Sequence, residues 1–274
     1  MSGSENRTAL VPLPNVIGKF SLDLLIAAVM VSGISIAVGL IWGAARWIQV
    51  VPTLLAAGEG NDALSPEQIT ALIGQPGPLA MIMMTWLGMS AAAMVLYFWR
   101  RRADRSECAT SMRAVYRPRT WFWGILTGIV LSVFGGAAGL VAGMFGIVPE
   151  PSNQKLIQQA MSQYPVFITV FAIALAPAYE ELLFRRIFFG RFLKAGFPFP
   201  GMLLSSAAFA FVHEVPGLSA NDWPAMLLLW FVYGTMGMVF ALAYRKSGTL
   251  WTAIIAHAVN NAIALMILVR QGLP

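Results

Sequence analysis

The chain has 274 residues, 58% of them hydrophobic and 11% charged, with a formal net charge of +6 and a mean hydropathy of +0.71. A soluble globule of this size needs more polar surface than that, so the composition excludes a water-soluble fold and predicts an all-α, polytopic membrane helix bundle of about seven (six to eight) transmembrane helices. The basic balance would suggest nucleic acid in a soluble protein, but here the cations cluster between apolar spans, so the expected partner is the lipid bilayer and not nucleic acid.

Residues 1–19 are polar and lack the basic start, short apolar core and small-residue cleavage site of a secretory signal, which predicts a retained cytoplasmic tail before one integral domain over 20–274. Seven segments then reach, or nearly reach, the about 20 residues that a spanning helix needs: 20–42, 77–99, 121–148, 164 to about 189, 200–213, 223–244 and 249–269. The fifth is short, so it reads as a buried partial helix or as one that runs on past His213. Between the first two spans, Ser65, Pro66 and Glu67 form an N-cap, a proline at N1 and an acidic first turn, predicting a short helix up to about Gly74. The lone Cys108 reads as an inert loop thiol and excludes an intrachain disulfide. In the third span, Gly135, Gly136, Gly139 and Gly143 predict close helix approach.

With the N-terminus in the cytoplasm, that side holds Arg7, Lys19, every arginine from Arg100 to Arg119, Arg185, Arg186, Arg191, Lys194, Arg245 and Lys246, which leaves only Arg46, Lys155 and Arg270 outside. This asymmetry predicts that orientation in a bacterial cytoplasmic (inner) membrane. The opposite loops carry Glu59, Asp62, Glu67, Glu150, Glu214 and Asp222.

The chemistry concentrates in the later spans. Residues 166–179 carry no charge, yet Glu180, Glu181, Arg185 and Arg186 follow at once. Ionisable groups at membrane depth are rare, are usually paired and mark functional sites. On a helix Glu181 and Arg185 stand at i, i+4 and neutralise each other, which leaves Glu180, about 100° around the helix, to face another neighbour. Pro177 predicts a kink just before them. The only two histidines, His213 and His257, also lie in or at the end of apolar spans. Phe209 is one turn from His213 on the same face, and Asn261 one turn from His257. A carboxylate, two imidazoles and an amide are therefore expected in one cavity. Measured from the outer end of its span, Glu180 misses the depth of His213 by several ångströms unless the kink, a tilt or an earlier start of the fifth span corrects it.

Glu180-Glu181-x-x-x-Arg185, Phe209-x-x-x-His213 and His257-x-x-x-Asn261 together resemble the three-motif signature of the CAAX prenyl endopeptidase and bacteriocin-processing (CPBP, Abi) family of intramembrane proteases. The resemblance implies a protease-like core at about 164–269 and an endopeptidase acting on a membrane-associated protein or peptide. In it Glu180 and His213 activate water, His257 and Asn261 stabilise the oxyanion, and Glu181, Arg185 and Phe209 support them. It implies no required cofactor. A zinc site with Glu180, His213 and His257 as ligands is the alternative at the same place. A proton-coupled transporter and a non-catalytic scaffold are the competing classes, since Glu and His in adjacent spans also build proton relays. No Gly-x-Ser-x-Gly elbow is present, and the aspartates Asp23, Asp62, Asp104 and Asp222 fall at span ends or in loops, which disfavours serine and aspartyl mechanisms.

Overall fold

The computed structural model describes residues 11–58 and 65–272. Most of the expected tail, with Arg7, and the loop acids Glu59 and Asp62 lie outside the described residues. Within them the chain is helical, with no strand: α1 Leu13–Gly58, α2 Pro66–Ile73, α3 Pro78–Arg100, α4 Arg105–Val115, α5 Pro118–Gly143, α6 Gln154–Gln163, α7 Pro165–Lys194, α8 Pro198–His213, α9 Trp223–Ser247 and α10 Leu250–Arg270. Six of them, α1, α3, α5, α7, α9 and α10, are long and apolar enough to cross a membrane. Helix α8 rises only about 24 Å against a hydrocarbon core of about 30 Å. It is the expected partial helix, and it stops at His213 because Glu214 turns to extended backbone.

Helix α1 does not end at Trp42. It continues through Pro52 to Gly58, and Arg46 on this extension donates to the Leu72 and Ile73 carbonyls, each at 3.0 Å, satisfying the C-terminus of α2. Helix α2 opens with the capping box that Ser65 announced. Cys108 is exposed, on helix α4 rather than in a loop.

Helix α7 is the centre of the bundle and is not a regular α-helix. Residues Phe171–Leu175 and Leu182–Phe189 are π-helical, on either side of an α turn at Ala176–Glu181 that contains Pro177. In the first π turn the Ala176 N–H reaches back five residues to Phe171 O, so the break expected at the proline is a widened helix. The helix also runs beyond Phe189 to Lys194. That extension removes the depth mismatch: from the turn joining α7 to α8, Glu180 lies fourteen residues back from Lys194 and His213 fifteen residues on from Pro198. In an antiparallel hairpin those positions are level.

Close helix approach occurs in α5, but not at the expected glycines. A Cβ on Gly136, Gly139 or Gly143 would meet nothing within 4 Å, whereas one on Gly128 would stand 2.5 Å from Ala256 O and 2.7 Å from Val259 Cβ, and one on Gly124 2.7 Å from Ile255. The four-residue spacing that matters is Gly124 to Gly128, packed on α10 one turn from His257. Ser132 adds a hydrogen bond to Asn260 Oδ1 at 3.1 Å. Gly128→Ala is therefore expected to lower thermal stability in detergent by about 1–3 kcal/mol, while Gly139→Ala leaves the melting temperature within error.

At the basic end, ion pairs fasten the peripheral helices to α7. Asp23 is fully buried inside α1, not at a span end, and pairs with Arg100 and Arg191. Arg101 donates to Gly190 O at 2.7 Å. On α4, Glu107 meets Arg186 at 2.5 Å and Lys194 at 2.8 Å. These cations hold the Glu107 carboxyl down from 4.5 to about 2. The folded value being the lower one, the pair's stabilisation is complete above 4.5 and is lost as pH falls from 4.5 towards 2. Acid titration of unfolding should show this loss in the wild type and a flatter acid limb in Glu107→Gln.

Candidate active site

Glu181 and Arg185 are both fully buried, with Arg185 Nε 3.0 Å from Glu181 Oε2. None of the guanidinium nitrogens makes a well-directed hydrogen bond. The cation lies instead among aromatic rings, its Cζ 4.5 Å from the centre of Phe209, 5.2 Å from Phe240 and 5.8 Å from Phe184. Coulomb attraction and three ring faces thus hold a charge that water does not reach.

The second oxygen of Glu181 fixes a histidine. His257 Nδ1 lies 2.9 Å from Glu181 Oε1; a carboxylate only accepts, so the proton is on Nδ1. His213 is oriented the same way, by Phe209 O at 2.7 Å from its Nδ1. A carbonyl also only accepts, which leaves His213 Nε2 with a lone pair in the neutral ring. Both Nε2 atoms then face one carboxylate: Glu180 Oε2 is 3.8 Å from His213 Nε2 and 3.9 Å from His257 Nε2. That oxygen is buried and has no hydrogen-bond partner. Rings wall the group, Phe209 at 4.4 Å and Tyr233 at 4.6 Å from His213, and Phe240 stacked at 5.0 Å and 17° on His257.

The structure therefore brings Glu180, Glu181, Arg185, Phe209, His213 and His257 into one contiguous cluster. Asn261, one turn along α10 from His257, donates to Ala172 O at 2.9 Å. Neighbouring Asn260 turns the other way, to α5. Tyr233 and Phe240 had not been singled out in the sequence. They are seven residues apart on α9 and share a face, the one available signal, but such spacing marks packing far more often than a site. Glu214, expected as a solvated loop acid, is buried beside His213 and accepts from Ser152 N and Oγ, each at 2.7 Å, and from Asn221.

As zinc ligands Glu180, His213 and His257 fit loosely. Ligand atoms about 2.0–2.1 Å from one tetrahedral ion sit about 3.3–3.4 Å apart, closer than the 3.8 and 3.9 Å found here. Among the described residues no three His, Cys, Asp or Glu side chains form a metal-binding group.

Residues 162–263 match the family model described as type II CAAX prenyl endopeptidase, Rce1-like, and every residue of the cluster falls inside that segment. The segment is similar to the Rce1-like CAAX endopeptidase family. A putative membrane peptidase, YdiL of Bacillus subtilis (strain 168), is 33% identical over 147 residues, which cover 53% of this chain and 54% of that protein. The membrane-embedded CAAX protease MroQ of Staphylococcus aureus (strain USA300) is 26% identical over 148 residues, covering 53% and 56%. The chain thus spans about half the length of these curated relatives. No solved structure matches it. The matched segment takes in α7, α8, α9 and most of α10, and leaves α1 to α5 and nearly all of α6 outside it.

The geometry separates the two glutamates of the first motif. Glu181→Gln leaves Arg185 and His257 without their counter-charge, and losing one partner of a buried pair costs about 3–5 kcal/mol. Thermal unfolding in detergent should record that loss for Glu181→Gln and much less for Glu180→Gln.

Proposed function

We propose that this protein is an intramembrane endopeptidase that hydrolyses a peptide bond in a membrane-associated protein or peptide. Glu180 and His213 activate water, while His257 and Asn261 stabilise the oxyanion. The observation that carries this reading is the unpartnered Glu180 Oε2 facing two imidazole Nε2 atoms at 3.8 and 3.9 Å. A water between Glu180 and His213 at ordinary hydrogen-bond lengths of about 2.8 Å donates one proton to each, which turns its oxygen lone pairs away from both acceptors and towards a substrate carbonyl.

As the water oxygen bonds to the carbonyl carbon, one proton passes to the Glu180 and His213 pair and the carbonyl π electrons move to its oxygen. With Nδ1–H committed to Glu181, His257 donates from Nε2 as the imidazolium, and the Glu181 carboxylate is its counter-charge. Asn261 has a second amide N–H beyond the one spent on Ala172 O. When the C–N bond breaks, the held proton goes to the leaving amine. The products are a carboxylic acid, which then gives its remaining proton to water, and an amine, and no redox partner is needed. The dry aromatic surround strengthens each of these interactions.

The relatives' names, a membrane peptidase and a CAAX protease, support the same class of substrate, a peptide presented at a membrane. The charge asymmetry supports a cytoplasmic basic end and N-terminus in a bacterial inner membrane. The test is cleavage by the purified protein in detergent of peptides carrying an apolar helical tail. Glu180→Gln keeps the shape but is a far poorer proton acceptor, so turnover should fall by about 10²–10⁴-fold without loss of folding. Substantial turnover in that variant would remove the base from Glu180, and no turnover in the wild type would leave the transporter or scaffold class. Comparing membrane proteomes of wild-type and Glu180→Ala cells names the substrate. Elemental analysis tests the zinc alternative: stoichiometric zinc, lost with activity on chelation and restored on re-addition, would replace the metal-free mechanism.

A further inference from the structure

One backbone oxygen of α7 lacks its regular donor for a reason written in the chain. The π turn sends the Ala176 N–H to Phe171 O, so the next donor in that register, residue 177, would serve Ala172 O. Residue 177 is proline and has no N–H. A carbonyl left unmet inside a membrane bundle is costly. Asn261 Nδ2 reaches this oxygen from α10, at 2.9 Å. One turn earlier on the same face, His257 holds Glu181 Oε1 at 2.9 Å. Adjacent turns of one unbroken α-helix thus grip α7 on both sides of Pro177, at Ala172 before it and at Glu181 after it. A widened turn held at both ends is fixed in place, and Glu180 rides on it.

We propose that Pro177 and Asn261 form a positioning device: the proline exposes the Ala172 carbonyl as a docking point, and the amide that fills it fixes the widened turn that keeps Glu180 level with His213 and His257. Asn261 then acts on the reaction through Glu180 as well as through any contact with the oxyanion. The catalytic consequence rests on the endopeptidase assignment; the hydrogen bond and its effect on the widened turn do not.

Two readouts on the full chain in detergent separate the claims. In thermal unfolding, Asn261→Ala should lower the melting temperature of the wild type. In the Pro177→Ala background, where residue 177 regains an N–H for Ala172 O, the same change should cost no more than half as much. Equal losses in the two backgrounds would overturn the proposal. Should Pro177→Ala fail to fold, Asn261→Asp serves in its place. At alkaline pH its ionised carboxylate has no proton to donate and faces the carbonyl, so there it must lower the melting temperature more than Asn261→Ala does; an equal or smaller loss at that pH overturns the device. In peptide cleavage, Asn261→Ala should move the acidic limb of the pH–rate profile by about half a unit or more, and Pro177→Ala should bring it back. A lower rate with an unmoved limb would make Asn261 an oxyanion donor only and would overturn its positioning role. If the wild type cleaves nothing, the endopeptidase reading fails while the melting temperatures still decide whether the device exists.

Discussion

A carboxylate with no access to water has to be matched from within the protein, and Glu181 is matched twice, by the Arg185 guanidinium on one oxygen and by the His257 Nδ1–H on the other. Most of the core follows from that demand. Arg185 needs ring faces around the rest of its guanidinium, which calls Phe184, Phe209 and Phe240 to the centre from three different helices. His257 must come within hydrogen-bond reach, which presses α10 against α7. With Nδ1 so engaged, Nε2 is aimed at Glu180. A charge pair that alone would only be tolerated in the membrane therefore becomes the scaffold beside which the Glu180 carboxylate is held.

The second determinant is length. A helix that crossed fully would carry its end groups to the membrane surface, but α8 stops at His213 after 16 residues and leaves the imidazole level with Glu180 across a tight hairpin. The chain past His213 is then secured by polar groups, with Glu214 taking donors from Ser152 and Asn221 and the Trp230 indole N–H bonded to Glu214 O at 2.8 Å. The irregular backbone starts at Glu214, whose side chain is fully buried in this polar network. The π turns of α7 belong to the same economy: they widen the helix where Pro177 interrupts its ladder and let a side chain from α10 complete it.

The helices outside the matched segment fasten the bundle around it. Asp23 on α1 ties Arg100 of α3 to Arg191 of α7, Glu107 on α4 ties the same end of α7, and Gly124 and Gly128 bring α5 into backbone contact with α10 behind His257. The cations of the basic end are thus partly structural, although their count along the chain reads first as a statement about topology.

Membrane class, the apolar spans and the residues that cluster at the candidate site were legible in the sequence because each depends on composition or on spacing within one helix. Apolar runs mark the spans, Glu181 and Arg185 announce their pairing by i, i+4, and two histidines in apolar spans are too few and too costly to be incidental. What spacing cannot carry is any relation between helices. Whether Glu181 would also serve His257, which glycines of α5 would meet a neighbour, whether Glu214 and Asp23 would be solvated or buried, and how the depths of Glu180 and His213 would be reconciled were all decided by packing. The same holds for Asn261: its sequence neighbours say it shares a face with His257, but only the tertiary structure puts its amide on the carbonyl that Pro177 leaves bare. A hydrogen bond between groups 89 residues apart is set by where two helices cross, and no local pattern encodes that crossing.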